Sequence, residues 1–155
     1  MTSPRANGDV PKGLVATIQA EINAPVEAVW DALTNPGTIR RYMFGTEVIS
    51  EWKEGHTIKW KGIWKGKAYE DRGTILEFVP LRTLSYNHFS PLSGLPDVPK
   101  NYHTVRIELS IRGRSTAVLL SQDNNPTAEA RDYSQKNWEM MLTSLKSMLD
   151  AKKRD

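Results

Sequence analysis

From Thr127 to about Ala151 the chain has neither Gly nor Pro, and Trp138, Met141, Leu142, Leu145, Met148 and Leu149 recur at the spacing of one helical face. At 1.5 Å per residue such a helix is roughly 37 Å long, about the diameter of a small domain, so the rest of the chain has to be built around it. Its stripe is uneven. Ala130, Arg131, Ser134 and Asn137 continue the same face with small or polar side chains. A helix of that kind suits a packed base at one end and a wet mouth at the other.

Ahead of it lie short strands. Ala16, Ile18, Ala20 and Ile22 alternate with Thr17, Gln19 and Glu21, the period of a half-buried strand. Pro25 suits a first helical position, and Val26, Val29, Trp30 and Leu33 then fall at helical spacing. Thr34-Asn35-Pro36-Gly37 ends that helix and caps a second over Thr38 to Tyr42. Strands are expected over Val48 to Trp52, around Ile58 to Trp64, over Tyr69 to Val79, Thr83 to Phe89, Val105 to Ile111 and Thr116 to Gln122. Lys65-Gly66 reads as a hairpin turn, and Gly73 as a bulge or a close backbone approach. Ser90 to Lys100, with Pro91, Gly94, Pro96 and Pro99, reads as a loop of the length used for functional lids.

With 155 residues the chain has room for one substantial core. Met1 to Gly13 has almost nothing to bury, which predicts a disordered leader over 1–13, one domain over 14–151 and a charged tail over 152–155. Lys and Arg number 21 against 18 Asp and Glu, spread along the chain, which argues against a nucleic-acid surface. No signal peptide or membrane-spanning run is present, and there is no Cys for a disulfide or thiolate metal site, so a cytoplasmic protein is expected.

One strand, two short helices, a run of antiparallel strands and a long terminal helix exclude a doubly wound sheet and place the chain in the α+β class. That order resembles the helix-grip fold of the START-like, or SRPBCC, superfamily. Within it, Glu21 to Leu33, Gly73 to Pro80, Thr104 to Leu120 and Asn137 to Leu149 resemble homologues of the activator of heat shock protein 90 ATPase. Asn137 stands where that family usually has Gly. The resemblance implies a curved sheet of six or seven strands around the terminal helix, with a cavity that in relatives accepts small hydrophobic molecules. Fold alone assigns no chemistry.

The candidate ligand-binding residues are Trp52, Trp60 and Trp64, then Tyr86, His88 and His103, and on the helix Ser134, Asn137, Trp138 and Met141. Indole and phenol groups lining a hollow would orient a ligand that carries a few polar atoms, although packing alone also accounts for aromatic stripes. The three His lack metal-site spacing, and no cofactor is implied. Glu70, Asp71 and Arg72 are expected to be solvated at an edge or to form an exposed ion pair. No nucleophile elbow or phosphate loop occurs.

Three readings follow. The first is a non-catalytic carrier or sensor of a small hydrophobic or amphipathic ligand. The second is a cyclase-like or aromatase-like enzyme, which requires a buried ionisable group among Asp71, His88, His103 and Glu108. The third is a module that docks on a chaperone or other protein partner.

Overall fold

The computed structural model describes residues 12–153. Seven strands form one antiparallel sheet: β1 (Leu14–Ile22), β2 (Glu47–Ser50), β3 (Thr57–Trp64), β4 (Lys67–Val79), β5 (Thr83–His88), β6 (His103–Arg112) and β7 (Ser115–Asn125). Their spatial order is β1-β7-β6-β5-β4-β3-β2, so every hairpin neighbour in sequence stays a neighbour and β1 closes the far edge on β7. Helices α1 (Val26–Thr34) and α2 (Pro36–Tyr42) follow β1, and α3 (Ala128–Lys153) ends the chain. Among the described residues no helix is long and apolar enough to cross a membrane.

Alternation places the expected residues inside. Ala16, Ile18 and Ile22 of β1 are buried while Thr17, Gln19 and Glu21 are exposed. Cross-strand partners share a face, and the pairs Trp60↔Asp71, Ile75↔Tyr86, Leu84↔Ile107 and Leu109↔Val118 mark out the inner one. Against it α3 buries Met141, Leu142, Leu145 and Leu149, running along β1 and β7. The two short helices close the remaining side with Val29, Trp30, Leu33, Ile39 and Tyr42. Asn35 joins them, its Oδ1 accepting from Gly37 N at 3.0 Å and Thr38 N at 3.4 Å. Pro25 sits one place before the first helical residue, as the N-cap.

Several boundaries differ from the sequence reading. β2 stops at Ser50, whose Oγ accepts the Trp52 backbone N–H at 3.0 Å and so draws that residue out of the ladder into a left-handed turn with φ of 56°. Lys12, read as leader, is bound to the sheet: its N–H donates to Asp123 Oδ2 at 3.2 Å and its carbonyl accepts from Asn124 N. The rest of that leader, residues 1–11, lies outside the described residues, as do the last two residues of the expected tail. Lys152 and Lys153 continue α3.

The loop from Ser90 to Asn101 holds two single-turn 3-10 segments, Pro91–Ser93 and Pro99–Asn101. It is tethered at Asp97, which accepts from Tyr102 Oη at 2.6 Å and pairs with Arg72 at 3.1 Å.

Gly73 is a close backbone approach. A Cβ there would lie 1.8 Å from the Asn87 carbonyl oxygen of β5, and the β4 to β5 register shifts just beyond it, between Ile75 and Glu77. Gly73→Ala is expected to destabilise the protein by about 1–3 kcal/mol or more, because the obstructing atom is backbone and cannot rotate away. Urea unfolding checks this, and an unchanged midpoint would mean that β4 and β5 can part freely.

Candidate functional site

Under α3, where its stripe changes from apolar to polar, the inner face leaves a cavity of about 30 Å³. Its walls come from several elements: Leu33 and Tyr42 from the short helices, Trp52 and Trp60 from the β2–β3 side, Tyr86 and Ile107 from β5 and β6, Trp138 and Met141 from α3. The Trp60 and Tyr86 rings meet at 5.0 Å between centroids, tilted by 50°. Tyr42 Oη donates to the Ala32 carbonyl at 2.8 Å. The Tyr86 hydroxyl, on a residue only 7% exposed, meets no hydrogen-bond partner among the described residues. Burial pushes the Tyr86 phenol well above the ordinary tyrosine range, so it stays a donor.

One step further along β5 and β6 the inner face turns polar. His88 and His103 are directly opposite in the register, with ring centroids 6.4 Å apart. His88 Nε2 lies 2.7 Å from Asp71 Oδ2, and Trp60 packs edge-on against the same imidazole at 5.0 Å. Asp71 is not the solvated edge residue that its charged neighbours suggest: its side chain is 14% exposed and its other oxygen, Oδ1, is buried with no partner. Pairing opposite Trp60 turns it inward, while Glu70 pairs with Lys61 at the surface at 3.6 Å. His103 Nδ1 lies 2.8 Å from the Asp123 carbonyl, which can only accept, so that nitrogen carries the proton. The Asp123 carboxylate is taken up by the Thr104 and Lys12 backbone N–H groups.

The helix side of this end is polar as well. Trp138 Nε1 donates to Gln122 Oε1 at 2.5 Å, Gln122 Nε2 donates to Ser134 Oγ at 3.3 Å, and Ser134 Oγ donates to Asn125 Oδ1 at 3.0 Å. Among the candidates read from sequence, Trp52, Trp60, Tyr86, Trp138 and Met141 line the cavity, and His88 and His103 stand just beyond it. Ser134 is spent on Gln122 and Asn125, and Asn137 is half-buried with no polar partner among the described residues.

Trp64 is a correction. It has the inward parity of Trp60 but lies beside the hairpin turn, 44% exposed, with Lys65 Nζ 5.7 Å over its ring, and is not among the residues that line the cavity. Glu108 faces outward beside Arg106, at 3.5 Å. Tyr42 and Gln122 were missed. Gln122 was legible as the next inward position after Val118 and Leu120, and Tyr42 as the residue one helical turn from Ile39. Among the described residues no group of three metal-ligating side chains converges.

A curved antiparallel sheet closed by a long terminal helix over an aromatic-walled cavity defines the helix-grip class. The chain belongs to the family described as activator of Hsp90 ATPase homolog 1-like protein, which it matches over residues 23–150. It is similar to the solution structure of ChR145 from Cytophaga hutchinsonii, with 52% identity, a TM-score of 0.81, and 94% of this chain and 99% of that one covered. The Aha1 dimer of Colwellia psychrerythraea shares the fold at 19% identity and a TM-score of 0.69, covering 88% of this chain and 96% of that one. DynU16, of the dynemicin biosynthetic locus, does so at 14% identity and 0.72, covering 88% of this chain and 47% of its own. No curated protein matches the chain in sequence.

Burial, and then the neighbouring His88 and Lys12, lower the His103 pKa, against the opposing pull of the Asp123 carbonyl and carboxylate. A folded value below the unfolded value of about 6.5 means that the unfolded chain takes up the proton first, so stability is full above that pH and falls as pH drops toward the lowered folded value. Urea unfolding across this window should show the loss, and His103→Gln should flatten it. A variant profile parallel to the wild type would show that His103 is not held neutral.

Proposed function

We propose that this protein carries or senses a small hydrophobic or amphipathic ligand held between the inner face of the sheet and α3, in the cytoplasm. The Tyr86 hydroxyl supports the reading most directly. Its oxygen has no protein partner among the described residues and is not closed off from open space, so a ligand atom that accepts from it adds a hydrogen bond worth roughly 0.5–1.5 kcal/mol. The apolar walls around it supply area, and the single donor supplies orientation.

A cavity of about 30 Å³ holds a water or two, so a larger ligand has to open it. The two halves of α3 differ in how readily they would yield. Leu142, Leu145 and Leu149 seal one half by apolar burial, whereas Trp138 and Ser134 hold the other through hydrogen bonds that a ligand or water can replace. Entry is therefore at the polar end, beside the loop tethered at Asp97.

The neutral fluorescent probe N-phenyl-1-naphthylamine should bind saturably with blue-shifted emission, and Tyr86→Phe should weaken the binding of ligands that carry an acceptor. Non-saturable emission, together with native mass spectra that show an empty protein from its own host, would overturn the carrier reading.

One observation favours a second reading, a cyclase-like enzyme. Asp71 orients His88 beside the groove as a carboxylate orients a general base. That reading requires a bound polyketone to be released cyclised, with His88→Gln abolishing conversion but not binding. A chaperone partner rests on the family description, and co-purification from the host would reveal it.

A further inference from the structure

His88 and His103 are each anchored through one ring nitrogen and open through the other. Asp71 takes Nε2 of His88 and the Asp123 carbonyl takes Nδ1 of His103. Neither His88 Nδ1 nor His103 Nε2 has a hydrogen-bond partner among the described residues, and neither is among the buried unpaired atoms, so both reach open space. In the neutral rings these two nitrogens bear lone pairs and can only accept. Anchoring the opposite nitrogen fixes the tautomer and the aim of each ring.

Among the described residues, the cations that this end of the fold presents are already engaged, Arg131 of α3 with Asp132 at 3.3 Å. Asp71 adds a negative charge from β4. Arg72 is engaged with Asp97, and Lys12 Nζ donates to the Pro99 carbonyl at 3.2 Å. Asp123 on β7 is occupied by backbone N–H groups. The surroundings of the two imidazoles are thus rich in acceptors and poor in donors.

Trp60 joins this end to the cavity, touching Tyr86 on one side and His88 on the other, each at 5.0 Å. Tyr86 and His88 are two residues apart on one strand face, a span of about 6.6 Å that suits a flat two-ring molecule.

We propose that His88 and His103 form a recognition site for the hydroxyl of a planar hydroxyaromatic ligand, whose ring enters along Trp60 and whose O–H donates to an open imidazole nitrogen. The inference rests on the ligand-binding reading above and narrows it to one chemical class. A hydroxyl gains a hydrogen bond that a bare or methylated ring cannot make, and a carboxylate would face lone pairs and the Asp71 charge. An open acceptor that the wrong ligand covers without pairing makes such discrimination steep.

The test titrates the whole chain with 2-naphthol, 2-methoxynaphthalene, naphthalene and 2-naphthoate, following tryptophan quenching. We expect 2-naphthol to bind at least about tenfold tighter than the other three, a difference of about 1.4 kcal/mol. His88→Leu and His103→Leu should each reduce that preference while leaving naphthalene affinity in place. The wild-type series is decisive even where a variant fails to fold. Equal binding of the three neutral ligands, or a preference for naphthoate, overturns the recognition site and leaves the ligand-binding reading standing. A naphthol preference that survives both substitutions in folded protein also overturns it. Binding of none of the four overturns the recognition site, and the carrier reading then stands or falls on the N-phenyl-1-naphthylamine titration and native mass spectra.

Discussion

The contact between one stripe of α3 and the inner face of the sheet governs this molecule. Met141, Leu142, Leu145 and Leu149 recur at intervals that keep them on one side of the helix, and all four are buried. Each fully buried side chain of this kind contributes roughly 1.5–3 kcal/mol, enough together to hold the helix across the strands. Toward the N-terminal end the same side of α3 carries Trp138 and Ser134, and the contact there is made by hydrogen bonds to Gln122 and Asn125. The cavity lies at this changeover, where apolar packing gives out before polar pairing has taken over completely.

A second constraint sets the chemistry of the polar end. Gly73 lacks a side chain where the Asn87 carbonyl crosses, so β4 and β5 come together more closely than a larger residue would permit. Asp71 is two residues before that crossing and His88 is the residue after Asn87, and the approach leaves them 2.7 Å apart. Backbone proximity at one glycine thus produces a hydrogen-bonding geometry at its neighbours. On the other side of the groove, Ser50 draws Trp52 out of the ladder and allows its ring to join the cavity wall.

The strands and helices were legible because their signals are local. Alternation in β1 and β6, the turn at Lys65-Gly66 and the Gly- and Pro-free terminal helix each depend on a few consecutive residues, and the structure has each of them near the expected place. The site was legible in part. Trp60, Tyr86, Trp138 and Met141 carry inward parity or helical phase, which suffices where another layer covers them. Trp64 carries the same parity and is exposed, since parity says which face a side chain takes and nothing about whether that face is covered. Asp71 shows the reverse. Between Glu70 and Arg72 it reads as a surface charge, and only its pairing opposite Trp60 and the arrival of His88 from β5 bring it inside.

The sequence alone determined the class of fold, the order of its elements and the helix that closes it, because each of these follows from periodicity within one segment. It also marked the inward aromatic residues, without deciding whether they pack or line a hollow, and the change along α3 from an apolar to a polar stripe. Only the tertiary structure decided how small the cavity is, that Asp71 faces His88 and that Trp64 lies outside the cavity wall. Those outcomes depend on distances between residues that are far apart in the chain, and such distances are set by register, by the crossing at Gly73 and by where α3 stops covering the sheet.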